Sequence, residues 1–358
     1  METATAVLAQ RIGAVIRRAS KKRASDWWYS PHMAATSSAI AERLPLADLI
    51  LEVRDARVPL SSKYELLKNF PSPLRRIVVL NKMDLANSSR TKFLNFLQAK
   101  VRELKKMDNS CSTAAIMLVG IPNAGKSALA NSLHNIGRIS AAEKGKLKHA
   151  VVSSQPCETK DISSLKIASN PNVYVLDTPG VLPPDISDFE TGSKLALIGT
   201  LRDSLAGKKQ LAQLFLSILD SGREYKQWEN LSTSGSGRLS VDFREEYSGS
   251  SEIETRRKRQ YPSDHTQDFI VQDVRRVLYE SISSTCVNLR CRKEVLRLIE
   301  LQLAALRKPF RIPLELGEED ACIRVSEKLL NLYRIGRLGH FTLDSIPNPK
   351  DIDLHDTS

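Results

Sequence analysis

A glycine-rich stretch at residues 115–133, AIMLVGIPNAGKSALANSL, holds the pattern G-x-x-x-x-G-K-S between an apolar run and a helical pattern. In such a setting backbone amides close around phosphate oxygens, the lysine reaches the β and γ phosphates, and the serine hydroxyl binds Mg²⁺. The N-terminus of the following helix adds its positive dipole. The pattern predicts a phosphate-binding loop that consists of Gly120 and of Pro122, Asn123, Ala124, Gly125, Lys126, Ser127 and Ala128.

A second motif, VYVLDTPG at 173–180, predicts the partner of this loop in metal binding. Asp177 ends a predicted strand, where it can hold Mg²⁺ through a water molecule, and the amide of Gly180 can meet the γ-phosphate. Thr159 falls between the two motifs, where a threonine would complete the metal shell begun by Ser127. The alternative for Thr159 is an ordinary loop hydroxyl.

The third motif, NKMD, begins at Asn81 directly after the apolar run IVVL. Asp84 can accept the hydrogens of guanine N1 and N2, a donor pair that adenine lacks, and Asn81 can donate to O6 and tie loops together. Lys82 can lay its aliphatic stem over the plane of the base. Together the three motifs predict a site for GTP or GDP with Mg²⁺.

The elements that must position these motifs alternate along the chain. Apolar runs rich in β-branched residues predict buried parallel strands at 48–53, 77–80, 115–119 and 173–176. Helical patterns at 91–106 and 126–136 lie between them. The predicted fold class is therefore α/β, a P-loop domain with a parallel sheet in three layers. Its motifs are circularly permuted, because NKMD precedes the phosphate loop, although the same strands can still assemble one pocket.

Composition divides the rest of the chain. With 358 residues, two globular units are expected. The predicted organisation is a transit peptide at 1–25, a permuted GTPase domain at 26–225, a flexible linker at 226–262 and a small all-α domain at 263–345, followed by a tail at 346–358.

Charge points to an anionic partner. The chain has 53 Lys and Arg against 41 Asp and Glu, for a net charge of +12, which favours nucleic acid or anionic lipid. The N-terminal stretch at 3–25 is basic, lacks acids and has apolar residues at helical spacing, as organelle transit peptides do. The alternative is a basic helix that touches RNA. Five cysteines without a paired spacing suggest neither a zinc site nor a disulfide framework.

The motif order, together with the triplet Asp55–Arg57 in LEVRDARVPLSS, resembles the circularly permuted DAR GTPases of the YlqF/YawG type, most closely the mitochondrial ribosome-assembly members. DWWYSPHMAA and LLNLYRIGRLGHFTLD are similar to two further family signatures. The resemblance implies hydrolysis of GTP to GDP in the assembly of the mitochondrial large ribosomal subunit, with the helical domain on its rRNA. A monomer in the mitochondrial matrix is expected, and peripheral contact with the inner membrane is an option.

Further residue roles follow by position from the resemblance. His32 aligns with the family's proposed catalytic histidine, although Ser30-Pro31 replaces the usual Pro-Gly before it and stiffens the segment. The alternative for His32 is a structural hydrogen bond. Asn123 stands where potassium-activated relatives bind K⁺. Val181 follows DTPG where signalling GTPases keep the glutamine that orients water.

One departure from the family sets the main alternative. Residues 85–119 leave room for one helix and the strand of the phosphate loop, but not for the extra strand and loop that back the guanine in relatives. The second hypothesis is therefore a scaffold that binds rRNA with impaired nucleotide binding. A membrane-associated GTPase is the third, and the basic N-terminus is its only support.

Overall fold

The computed structural model of the chain describes residues 3–22, 27–68, 75–83, 113–140, 162–169, 172–222, 224–233, 265–284, 291–313 and 315–344. These residues divide into two compact units. One unit contains the sheet and is formed by 13–205 and by the chain from Phe341 onwards; the other is helical and is formed by the chain up to Ile12 and by 206–340.

A five-stranded sheet is the centre of the first unit, counted over the described residues. Its strands are β1 (Leu49–Asp55), β2 (Arg76–Asn81), β3 (Thr113–Val119), β4 (Ser163–Ser169) and β5 (Asn172–Asp177). The spatial order is β2-β1-β3-β5-β4, and every neighbouring pair is parallel except β4 with β5. The permuted chain order therefore still gives one continuous sheet, as predicted.

The burial of each strand explains whether its sequence predicted it. The central strands β1 and β3 are buried on both faces and have apolar runs, interrupted in β1 by Glu52, which is typical of parallel strands covered on two sides. All four predicted strands are present. Strand β4 was not predicted, because SSLKIAS has few apolar residues and pairs antiparallel at the edge of the sheet.

The α-helices of the described residues are, in chain order, α1 (Ala4–Lys22), α2 (Pro31–Arg43), α3 (Lys126–Ser140), α4 (Phe189–Leu197), α5 (Asp203–Ala206), α6 (Lys208–Ser221), α7 (Glu229–Thr233), α8 (Asp268–Ser283), α9 (Arg292–Ala305) and α10 (Glu318–Arg334). No helix in the described ranges is long and apolar enough to cross a bilayer. The helix predicted at 91–106 lies outside the described residues.

Helix α2 closes one face of the sheet. Ser30 caps its first turn by accepting the N–H of Met33 at 3.3 Å, and Pro31 stands at the start of the helix, where its missing N–H costs nothing. Met33 and Ile40 then pack in one apolar cluster with residues of the two central strands, among them Ile50. Ser30-Pro31 is thus a regular helix start.

The helical unit begins earlier than the boundary predicted at 225. Helix α6 belongs to it, since Phe215 stacks on Tyr333 with ring centroids 4.6 Å apart, and Asp220 accepts a hydrogen bond from Gln302 at 2.8 Å. Residues 224–233, assigned to a linker, are helical, and 234–264 lie outside the described residues. The helical character predicted for the C-terminal part is confirmed in α8, α9 and α10.

Asp220 gives the helical unit a measurable pH dependence. Burial raises the pKa of Asp220 to about 7, although the hydrogen bond from Gln302 opposes the shift. Between the ordinary value of 3.8 and about 7 the folded state holds a proton that the unfolded chain has released, so stability falls as pH rises through this window. Asp220→Asn, which keeps an acceptor for Gln302, should therefore stabilise the protein more at pH 8 than at pH 5.

Thermal unfolding of both proteins at the two pH values tests this expectation. Other carboxylates contribute their own pH dependence, but it is common to both proteins and cancels in their difference. If the unfolding midpoints of Asp220→Asn and the wild type differ by the same amount at pH 5 and pH 8, Asp220 is ionised at both pH values.

The N-terminal helix α1 lies within the folded units, although its segment resembles an import signal. Ile16 is fully buried, and Ser20 donates a hydrogen bond to Asp185 at 2.9 Å. Gly13 meets the start of α4 so closely that an added Cβ would lie 2.4 Å from the Cα of Phe189. The second half of α1 therefore packs as an integral helix of the sheet unit.

Gly13→Ala should lower the unfolding midpoint by a few degrees. Overpacking against backbone costs about 1–3 kcal/mol, which outweighs the gain of roughly 1 kcal/mol from alanine's helix propensity. The matched control is Gly317→Ala, because a Cβ there meets nothing within 4 Å. Calorimetry of both variants decides the matter, and equal midpoints would argue against the close packing of α1 on α4.

Candidate nucleotide-binding site

The predicted phosphate loop connects β3 to α3 at the carboxyl edge of the sheet. Helix α3 begins at Lys126, so its first N–H groups face the loop. The Lys126 side chain is 5% exposed, and its Nζ donates to the carbonyl oxygens of Gly120 at 3.1 Å and Ile121 at 2.9 Å. The loop is thus folded around its own lysine, which is positioned to exchange carbonyl oxygens for phosphate oxygens.

The base-reading motif is tied directly to this loop. Asn81 ends β2, and its Nδ2 donates to the carbonyl oxygen of Ala124 at 2.8 Å. Gly125 has φ 94°, and a Cβ there would lie 2.0 Å from the Asn81 amide nitrogen. The close approach requires glycine at this position. The predicted role of Asn81 in joining the loops agrees with this contact, while Asp84 lies outside the described residues.

Asp177 supplies a carboxylate suited to a metal ion. It ends β5, is fully buried, and neither of its oxygens has a hydrogen-bond partner. Burial raises the pKa of Asp177, and the nearby Ser127 hydroxyl and Lys126 ammonium offset this only in part. A buried carboxylate without a partner is costly, and Mg²⁺ with its waters would satisfy it. The residues present therefore fit Mg²⁺, with Asp177 and Ser127 as the described members of the shell.

The backbone after Asp177 is held against the phosphate loop. Thr178 donates to the carbonyl oxygen of Leu118 at 2.6 Å. A Cβ on Gly180 would lie 2.4 Å from the Cα of Pro122, so the two segments touch through their backbones. Val181 is buried in the cluster beneath α2. The Val181 side chain is therefore part of the core. Thr159 lies outside the described residues.

Asn123 is held in an unusual conformation. Its φ is 60°, in the left-handed region, and its Nδ2 donates to the carbonyl oxygen of Gly199 at 2.8 Å. Strained backbone of this kind is frequent at binding sites. Because Nδ2 is bound to Gly199, the amide orientation is fixed, and Oδ1 is the atom able to ligate K⁺. The sequence did not predict that Gly199 would contact Asn123. The only signal for it was a glycine that lies between two helical patterns.

His32 lies exposed in the first turn of α2, next to the buried Met33. The segment before it follows the residues after Gly180: Trp28 donates its indole N–H to the carbonyl oxygen of Pro183 at 2.9 Å, and Trp27 donates to that of Pro184 at 3.2 Å. The tryptophans thus tie the His32 segment to the chain beyond the DTPG motif. The catalytic role of His32 stays a prediction.

The described motif residues thus converge at one edge of the sheet. Asn81 ends β2 and Lys82 follows it, the phosphate loop follows β3, and Asp177 ends β5. In a parallel sheet these carboxyl ends border the same crevice. Basic, amide and carboxylate groups there have the chemistry to bind phosphates, a hard metal ion and a purine.

Comparison with known proteins agrees with this arrangement. A family described as 50S ribosome-binding GTPase matches residues 115–238. The chain is 53% identical to DAR GTPase 2, mitochondrial, of Arabidopsis thaliana over 95% of each chain, and 38% identical to Short integuments 2, mitochondrial, of the same plant over 89% of each. It is 31% identical to Mitochondrial ribosome-associated GTPase 1 of Xenopus tropicalis, over 57% of this chain and 73% of that protein.

Solved structures give a weaker match. GNP-bound YlqF from T. maritima is 19% identical and covers 86% of this chain and 98% of its own, with a TM-score of 0.32. A score of this size carries no weight for the fold, which instead follows from the strand order and the motifs. On the identity and coverage of its relatives, the chain belongs to the family of circularly permuted DAR GTPases, which are GTP-hydrolysing enzymes.

Proposed function

We propose that this chain binds GTP at the crevice between Asn81, the phosphate loop and Asp177, and hydrolyses it to GDP as an assembly factor of the mitochondrial large ribosomal subunit. The observation that carries the proposal is the buried, unpartnered carboxylate of Asp177 beside Lys126 and Ser127. A hydrated Mg²⁺ held by Asp177 and Ser127 would stabilise this carboxylate and supply positive charge to the phosphates.

Each part of the pocket has its own role in the proposal. Lys126 and the N–H groups at the start of α3 neutralise the phosphates, and the Gly180 amide meets the γ-phosphate. Mg²⁺ supplies charge neutralisation when bound, held through Asp177 and Ser127, with Thr159 as a further ligand. Asp84 reads the guanine edge. Asn123 binds K⁺ through Oδ1, so hydrolysis should be faster in K⁺ than in Na⁺.

The ribosomal role rests on relatives and on charge. Curated relatives are named as mitochondrial and as ribosome-associated. The net charge of +12 suits rRNA as the partner of the helical unit. Import into the mitochondrial matrix through the basic N-terminus belongs to the same proposal. Fusion of residues 1–25 to a fluorescent protein tests import, and cytosolic fluorescence would count against it.

The biochemical test uses the purified full chain. Binding of GDP and GTP is measured by calorimetry with ATP as the control, and phosphate release is followed with and without Mg²⁺ and with K⁺ or Na⁺. Guanine-selective binding with Mg²⁺-dependent release supports the proposal. Equal binding of ATP and GTP, or none of either, would overturn it.

Ribosome co-sedimentation separates the switch from the scaffold alternative. A switch is retained on large subunits with a GTP analogue and released with GDP, whereas a scaffold is retained equally with both. One observation favours the scaffold: among the described strands β2 pairs with β1 alone, and its side chains Val78 and Leu80 are about half exposed. Steep weakening by salt is expected in either case.

A further inference from the structure

Asp55, the first residue of the Asp55–Arg57 triplet, lies beside the start of the base-reading motif. It ends β1 in register with Asn81 on β2, and Ala56 donates its N–H to the carbonyl oxygen of Asn81 at 2.9 Å. The Asp55 side chain is fully buried. The triplet and NKMD are therefore neighbours through backbone pairing, before any side chain is considered.

The carboxylate of Asp55 binds two cationic side chains. Lys82 donates from Nζ to Oδ2 at 2.9 Å, and Arg57 donates from Nη2 to Oδ2 at 2.8 Å and from Nε to Oδ1 at 3.0 Å. Burial by itself would raise the pKa of Asp55, but the hydrogen bonds and charges of Arg57 and Lys82 lower it below its ordinary value. The carboxylate is therefore ionised at neutral pH.

The ion pair with Asp55 restricts the conformation of Lys82. Its φ is 63°, in the left-handed region that an L-residue adopts at a conformational cost. Its side chain is about one-third exposed, so without an anchor it would sample many rotamers in solvent. The ion pair with a buried acid holds Nζ at one place, and with it the direction of the aliphatic stem.

We propose that Asp55 is a positioning residue for guanine binding, which acts by holding Lys82 with its stem against the plane of the base. This inference rests on the proposed function. Arg57 contributes as well, because its guanidinium donates to both oxygens of the Asp55 carboxylate and so fixes the orientation of that group. In turn, the Arg57 carbonyl oxygen accepts the N–H of Leu343 at 2.7 Å.

The test is a double-mutant cycle on the affinity for GDP. Asp55→Asn keeps the shape but not the charge, and Lys82→Met keeps an apolar stem but cannot pair with Asp55. Each single change should raise the Kd about tenfold, the effect of releasing one long side chain. The double variant should be no weaker than Lys82→Met alone. In hydrolysis, Asp55→Asn should raise KM and leave kcat within a factor of about two.

Glu52→Gln is the matched control. Glu52 is as buried as Asp55, lies on the same strand and pairs with Arg54 and Arg76, outside the nucleotide motifs. Its loss should lower the unfolding midpoint but leave the Kd for GDP unchanged. If Asp55→Asn weakens binding equally in the Lys82→Met background, or Glu52→Gln weakens it as much, the effect is structural and the inference is overturned.

A comparison at Lys82 alone covers the case in which Asp55→Asn does not fold. Lys82→Arg retains a cation that can reach Asp55, so it should bind GDP more tightly than Lys82→Met; equal affinities would overturn the inference. Failure of the wild-type chain to bind GDP would instead overturn the proposed function, and the inference with it. Wild-type binding with additive mutations would overturn the inference alone.

Discussion

Lys126→Met should weaken triphosphate binding and lower the rate of GTP hydrolysis by at least about 100-fold, the loss of rate observed when one preorganised donor to a developing charge is removed. The structure explains why one lysine matters so much. Its Nζ is buried between the carbonyl oxygens of Gly120 and Ile121, at the N-terminus of helix α3. Methionine has a similar shape but offers no donor to the phosphates.

The variant should fold normally, because replacing a buried charge by an apolar group of similar volume is often neutral or stabilising. The control is Lys208→Met, which changes a lysine of the helical unit that is about one-third exposed and pairs with Glu327. It should leave nucleotide affinity and hydrolysis unchanged. Calorimetric titration with GTP and a phosphate-release assay give both quantities. A Lys126→Met protein that hydrolyses GTP at the wild-type rate would show that the phosphates bind elsewhere.

Asp177→Asn should raise the Mg²⁺ concentration needed for half-maximal hydrolysis by about 10- to 100-fold, the usual effect of losing a residue that holds a metal through water. The same substitution should raise the unfolding midpoint in the absence of Mg²⁺. Burial raises the pKa of Asp177 above its ordinary value, so at neutral pH this buried acid destabilises the folded state relative to the unfolded chain, and asparagine removes that cost.

A weaker affinity for Mg²⁺ together with a gain in stability is a combination that simple structural damage does not produce. Asp220→Asn is the control, because it also removes a buried carboxylate but lies in the helical unit. Its Mg²⁺ dependence should match that of the wild type. A metal titration of both variants, with thermal unfolding in EDTA, makes the comparison. An unchanged Mg²⁺ midpoint for Asp177→Asn would remove this residue from the metal site.

Much of the fold could be predicted because local patterns report burial. Strands β1 and β3 are buried on both faces, so their apolar runs predicted them as strands. The pattern G-x-x-x-x-G-K-S likewise predicted where α3 begins. Strand β4 was missed because an edge strand needs few apolar residues. The boundary near 225 was placed too late, since the contacts of Phe215 and Asp220 join α6 to helices far along the chain.

The candidate site shows the same division. The sequence by itself determined which residues carry the chemistry, because G-x-x-x-x-G-K-S, NKMD and DTPG each need particular side chains at particular spacings. Only the tertiary structure decided how they meet: Asn81 reaches Ala124, Asn123 reaches Gly199, and Lys82 is held by Asp55. These contacts join segments distant in sequence, and the packing of parallel strands sets their distances, which no local pattern encodes.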